Sequence, residues 1–286
     1  MNRQTNGMAL TVGASVIWGT SFVAVSAGLQ YSSPYLLLFE RFFVASLAIL
    51  ALGLFTRSAR IWQELRRAET WVLAVVWGTG FVLQFVGQDV SGASASALFS
   101  NLFVVFVPVA AFFVLGERMT NASKIAVALS VLGIVLVLPS GLHLSGSAVG
   151  DLLLVGAAVG NTMFIVLGKR YGISSLASSF AVVVSITVML APLAAVAGGT
   201  FPLNSLLATA DWESVLWLGV PCTVVATAMY ARGLASMRAA QSATLLLMEI
   251  IVGVALSVSL LGDVLSPTQV VGGATIAFAI VLSSRQ

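Results

Sequence analysis

Residues 115–120 read LGERMT and residues 261–266 read LGDVLS. Each phrase closes a long apolar run with Gly, an acid and a polar turn. Another apolar run follows each. A glycine just past the last apolar position is a helix stop, so both phrases predict helix ends. They stand 146 residues apart in a chain of 286, with a full apolar run on either side. Their charges differ. Arg118 stands in the first copy and Lys124 soon after it, whereas the second has no basic residue in it or after it before the last apolar run ends.

Hydrophobic residues make up 59% of the chain and charged ones 8%, with a mean hydropathy of +1.06. A soluble domain carries roughly 25% charged residues. So few charges leave the outer helices no polar face for water, which excludes a soluble two-domain α/β protein. The solvent for most of the surface must be lipid. The single Cys222 cannot form an intramolecular disulfide, and the single His143 lies in a Ser/Gly-rich connection. Neither suggests a metal site, and no cofactor is expected. A net charge of +3 is too small to argue for nucleic acid. The first apolar stretch is followed by nine more, so it reads as a span and not as a cleaved leader.

A span needs about 20 helical residues. The apolar runs place ten, near 8–28, 34–55, 70–88, 94–115, 121–139, 149–168, 174–196, 212–231, 240–261 and 267–283. Gly and Ala within them suit close helix approach in a bilayer, and Gly156 with Gly160 offers one such surface. The basic residues set the direction. With the N-terminus in the cytoplasm, twelve of the thirteen Lys and Arg fall inside, while the outer connections hold Asp89, Asp211 and Glu213. This is the positive-inside pattern. Trp71 and Trp212 lie near span ends, as interfacial anchors should. Five spans per half is an odd number, so the second half must enter the membrane upside down. The two quoted phrases then lie on opposite faces, which explains their charges. Inverted repeats of this kind build alternating-access carriers.

Several segments together resemble the EamA-type branch of the drug/metabolite transporter superfamily. "SASALFSNLFVVFVPVAAFFVLGERMT" is similar to that family's fourth span and "KIAVALSVLGIVLVL" to its fifth. "WGTSFVAVSAGL" resembles the first span and "LLLFERFFVASLAIL" the second, with Arg41 on a frequent family Arg. "GDLLLVGAAVGNTMFIVLGKR" is similar to the sixth, and "VPCTVVATAMYARGLASMRAAQSATLLLMEIIVGVALSVSLLGD" to the eighth and ninth. The resemblance covers nearly the whole chain. It implies an all-α integral membrane protein of ten transmembrane helices in two inverted-topology five-helix EamA repeats, residues 1–140 and 141–286. It also implies export or exchange of small organic metabolites, often amino acids, and a cavity walled by spans one, three, four, six, eight and nine. The chain departs from the family where Glu249-Ile250 stands for Glu-Pro, where Asp263 stands for Glu, and where Asn161 stands for a frequent Trp.

Polar residues inside the spans are the candidate site. A charge at mid-bilayer costs roughly 2.5–3.5 kcal/mol on insertion scales. Glu249 lies halfway along span nine, too deep to snorkel, and should face the protein interior as proton carrier, partner of a substrate amine, or structural clamp. Glu40 and Arg41 are helix neighbours that do not face each other. Both lie toward the outer end of span two and either snorkel to the interface, face an outer vestibule, or pin span two to another helix. Trp18 and Trp77 open a repeated Trp-Gly-Thr at similar depth in spans one and three. Their indoles offer an N–H donor and a flat face, for ring packing between helices or for a cavity wall. Gln84 and Gln88 continue from Trp77 in a polar stripe. Asn101, Asn161, Tyr230 and Gln241 add donors and acceptors from other spans, in the pattern of a small-molecule site. Glu117 and Asp263 sit at span exits. They are read as structural or gating acids that satisfy free amides at the start of the next span, with Thr120 and Ser266 as caps and Pro267 just inside the last helix.

The expected function is transport, in the export direction, of a small organic metabolite, most simply an amino acid, through a central site reached alternately from each face. The expected location is the inner (plasma) membrane, with both termini cytoplasmic and lipid as the surrounding partner. Proton coupling through Glu249 and passive uniport both stay open. No nucleotide-binding loop is visible, so no ATPase subunit is required. An exporter of organic cations is the nearest alternative. A membrane enzyme would need clustered acids, His or Cys at one interface, and a non-transporting sensor would bind without flux.

Overall fold

The computed structural model describes residues 3–55, 60–137, 148–172, 175–198, 211–261 and 266–284. His143 and Asp263 lie outside them, and so does most of the second quoted phrase. Among the described residues nine helices are long and apolar enough to span a membrane. They are α1 (Thr5–Gly28), α2 (Pro34–Leu54), α3 (Ala68–Gly92), α4 (Ala95–Leu115), α6 (Ala148–Arg170), α7 (Leu176–Val196), α8 (Trp212–Leu234), α9 (Ala239–Leu256) and α10 (Pro267–Ser284). A tenth apolar helix, α5 (Asn121–Val137), has 17 residues. A short helix, Arg60–Glu64, precedes α3. The chain is an all-α, multi-pass integral membrane protein.

Local chemistry sets the helix ends. Gly92 adopts φ 84° between α3 and α4, a conformation that costs other residues more. Gly116, in the first quoted phrase, takes φ 68°. The N–H of Glu117 then reaches back to Ala111 O at 3.2 Å, and that of Gly116 to Phe112 O at 3.2 Å. The Gly stop therefore forms as expected and turns Glu117 out of the helix axis. Thr120 Oγ1 accepts the N–H of Ser123 and caps α5. At α10 the cap is reciprocal: Ser266 Oγ accepts from Gln269 N, and Gln269 Oε1 accepts from Ser266 N.

Helices in lipid gain little from apolar burial, so close packing has to hold them. The chain packs α3 on α6, α1 on α8 and α9, α2 on α7 and α8, α4 on α6 and α9, and α5 on α10. Glycines sit where backbones touch. A Cβ on Gly160 would lie 2.7 Å from Gly80 Cα, which fixes the α3–α6 crossing. A Cβ on Gly272 would lie 2.8 Å from Gly133 O at the α5–α10 crossing. Two apolar clusters result. One centres on Phe42, Phe81 and Phe85 from α2 and α3, with α7 and α8 packed against them. The other joins α1, α4, α5, α6, α8, α9 and α10 around Val104, Tyr230 and Leu245. Trp18 and Phe164 pack against both clusters. The seam they mark is where the main cavity forms.

Candidate functional site

Helices α4, α9 and α8 are interrupted at the seam, and each interruption brings polar groups to it. In α4 the residues Ser100–Leu102 form a 3₁₀ turn. Asn101 Nδ2 donates to Ala97 O at 2.7 Å, while its Oδ1 is buried with no hydrogen-bond partner among the described residues. In α9 regular helix stops at Leu247, with tightened bonds from Leu247 N to Thr244 O and from Ile250 N to Leu247 O. The hydroxyl of Ser15 spans this break, donating to Leu246 O and accepting Glu249 N–H at 2.9 Å. α1 can come this close because Gly19 lacks a Cβ, which would lie 2.8 Å from Glu249 O. Asn101 and Leu247 stand 146 residues apart, the spacing of the two quoted phrases.

The third interruption is in α8. Pro221 has no N–H to donate, and the ladder widens to a π-helix over Leu218–Val225. Such widenings are frequent at functional sites. Thr223 Oγ1 donates to Leu218 O at 2.8 Å and accepts Arg41 Nε at 2.9 Å. Cys222 O accepts the indole N–H of Trp18 at 2.6 Å.

Together these elements line one cavity whose walls are mostly aromatic and apolar, with a few polar groups converging on it. Trp18, Ser21 and Phe22 line it from α1, and Trp77, Phe81, Gln84 and Gln88 from α3. Asn101 and Phe103 enter from α4, and Asn161 and Phe164 from α6. Tyr230 of α8 and Glu249 of α9 complete the wall, and Arg41 enters from α2. Seven of the eight binding candidates read from the sequence thus meet in one cavity. Gln241 does not. Its amide donates to Ser283 O at 2.9 Å and ties α9 to α10.

Aromatic rings, one guanidinium and one carboxyl group define the chemistry of the lining. Trp77 stacks on Phe164 with centroids 3.8 Å apart and planes 7° from parallel. Trp18 packs against Tyr230 at 5.3 Å. Gln88 is held by Phe22 O and Ser26 Oγ, both at 3.1 Å. Arg41 does not snorkel: it is 3% exposed, its guanidinium lying 4.7 Å from the Phe81 ring centre. Span two therefore joins the cavity wall, beyond the six spans that the resemblance implies. Glu40 does not snorkel either. It is fully buried, neither carboxylate oxygen has a hydrogen-bond partner among the described residues, and it does not line the cavity. Glu249 lines it, and its carboxylate takes no hydrogen bond from the described residues.

Phe81, Phe85 and Phe164 were missed as wall residues. In an apolar span nothing in their type separates them from rings that face lipid. Spacing held the only signal: Phe164 follows Asn161 by three positions, on the same helix face.

Glu117 serves a different end of the bundle. Its carboxylate pairs with Lys169 Nζ at the end of α6 and accepts Ala239 N–H at 3.0 Å. Lys169 Nζ also donates to Met237 O at 2.8 Å. The acid therefore satisfies an amide at the start of α9, across the two halves, and not at the start of α5 as expected. Among the described residues no group of three His, Cys, Asp or Glu could hold a metal.

Known proteins supply the remaining context. A solved structure titled "Crystal structure of protein" matches with a TM-score of 0.75 at 17% identity, covering 98% of this chain and 96% of its own, which shows the fold. A protein described as "Uncharacterized transporter" from Archaeoglobus fulgidus is 24% identical over 97% of this chain and 84% of its own length. "Uncharacterized transporter YvbV" of Bacillus subtilis is 27% identical over 71% of this chain and 63% of its own length. The EamA-like transporter family matches over residues 5–138 and 148–285. The chain belongs to that family and is a membrane transporter of small organic solutes, not an enzyme.

Proposed function

We propose that the chain exports amino acids, binding one zwitterion at a time in the central cavity by alternating access. The observation that carries this reading is the presence of Arg41 and Glu249 in the lining of one mostly aromatic cavity. A guanidinium there suits the α-carboxylate and a carboxylate suits the α-ammonium. The Trp77–Phe164 stack and Trp18 offer flat apolar walls to a side chain. Asn101 Oδ1, unpartnered in the same lining, supplies a further acceptor for the ammonium.

Alternating access draws support from the packing. If α1–α5 and α6–α10 are exchanged as sets, α1–α8 becomes α6–α3, α4–α6 becomes α9–α1, and α2–α8 becomes α7–α3. All six pairings occur. The α2–α7, α4–α9 and α5–α10 pairs map onto themselves, and all three occur. This favours two equivalent five-helix repeats, and the basic residues favour opposite insertion with the N-terminus in the cytoplasm of the inner membrane. The Glu117–Lys169 contact then closes the cytoplasmic end, while the cavity reaches from mid-bundle toward the outer end. That arrangement faces outward.

The test is counterflow in proteoliposomes with amino acids, sugars and organic cations, repeated across a pH gradient with Glu249→Gln. Exchange of amino acids that responds to the gradient in the native protein supports proton coupling, and loss of exchange in the variant supports Glu249 as a partner of the substrate. Exchange of organic cations without amino acids overturns the amino-acid reading.

A further inference from the structure

A second cavity lies apart from the first, at the basic end of the bundle. It is an open crevice between the end of α2, the short helix Arg60–Glu64, the start of α7 and Arg232 of α8. Ile49, Leu52, Ile61, Leu176 and Phe180 give it apolar walls. Leu52 and Leu54 are exposed beside it, so the walls continue into surface that faces lipid.

Two guanidiniums, Arg60 and Arg232, share this lining. Both are exposed, and neither makes an ion pair or hydrogen bond with a described residue. No acid is among the described lining residues. Arg67 and Lys169, at the same end, are by contrast both ion-paired. The cavity also takes in the first turn of α7. There Ser175 Oγ accepts Ser178 N–H, while the N–H groups of Leu176 and Ala177 precede any intrahelical acceptor. Two unpaired cations and a helix N-terminus at the mouth of an apolar crevice match a phosphate ester with an attached hydrocarbon chain. A free polar anion would leave the apolar walls uncovered. A neutral lipid would leave both arginines without a counter-charge.

We propose that this crevice is a binding site for an anionic phospholipid of the leaflet at the basic end. The phosphate pairs with Arg60 and Arg232, and one acyl chain lies along Leu52, Gly53 and Leu176. The site is separate from the central cavity and does not depend on which solute the protein carries.

Native mass spectrometry of the full chain, delipidated and then offered phosphatidylglycerol or phosphatidylcholine, tests the proposal. The expected result is preferential retention of phosphatidylglycerol, falling about five-fold for each of Arg60→Gln and Arg232→Gln. Arg170→Gln, at the same end but outside the crevice, should keep the preference. Thermal stability of the same samples provides a second reading: phosphatidylglycerol should protect the native chain and not the double variant. Three results would overturn the proposal. One is equal retention of both lipids by the native chain. Another is a loss with Arg170→Gln as large as with the crevice variants. The third is equal protection by inorganic phosphate alone.

Discussion

Glu117 and Glu249 are both acids of the helix bundle, and their surroundings divide the molecule in two. Glu117, at the basic end, has both carboxylate oxygens engaged, one by Lys169 and one by the N–H of Ala239. Glu249, at the central cavity, accepts no hydrogen bond from the described residues, and Asn101 Oδ1 in the same lining has no partner. A buried polar group without a partner is costly. In the first region the protein supplies the partners itself, so the acid joins helices. In the second, on the proposed function, the entering solute supplies them. The proposal therefore assigns closure to Glu117 and binding to Glu249, although both residues look alike in sequence.

The largest expected effect is at the cavity. Removing one member of a desolvated charge pair costs about 2–5 kcal/mol. Arg41→Gln and Glu249→Gln should each slow amino-acid counterflow by at least roughly 30-fold, with the protein still folded by gel filtration and thermal melting. If flux persists in both, the two charges are structural and the comparison fails. Glu117→Gln should act differently. It removes the charge partner of Lys169, and hydrogen bonds to charged groups are worth about 1.5–3 kcal/mol. Hydrogen exchange at the start of α9, around Ala239, should rise, while ligand affinity at the cavity stays within about two-fold. Asn101→Leu should weaken the apparent affinity for amino acids by about ten-fold without lowering the melting temperature, since its only hydrogen bond is to its own helix. Smallest of all is Gln269→Ala, which opens one side of the α10 cap. It should cost about 1 kcal/mol of stability and leave flux unchanged, because α10 does not reach the cavity.

The membrane class and the helices were legible because lipid imposes long apolar runs, and such runs have few other uses. Helix ends were legible where glycine supplied a left-handed residue, as at Gly116. The cavity was partly legible: Trp18, Trp77, Asn101, Asn161 and Glu249 drew notice as polar or amphipathic groups in apolar spans. What sequence could not supply was rotation about each helix axis. Gln241 and Tyr230 are both buried polar residues, yet one ties α9 to α10 and the other faces the cavity. Glu40 and Arg41 differ by a single position, and only Arg41 reaches the cavity. The role of Glu117 depended on the α6 and α9 ends meeting it, a contact 52 residues away in one case and 122 in the other. The helix breaks gave weak local signals, apart from Pro221 in α8. They arise from contacts such as Ser15 across α9, over 231 residues.

The most direct test of the central claim is amino-acid counterflow in proteoliposomes for the native chain, Glu249→Gln, Arg41→Gln and Glu117→Gln side by side. The account predicts exchange by the native chain, near-complete loss in both cavity variants, and measurable exchange in Glu117→Gln. Undiminished exchange in both cavity variants, or no exchange of any amino acid by folded native protein, would contradict it.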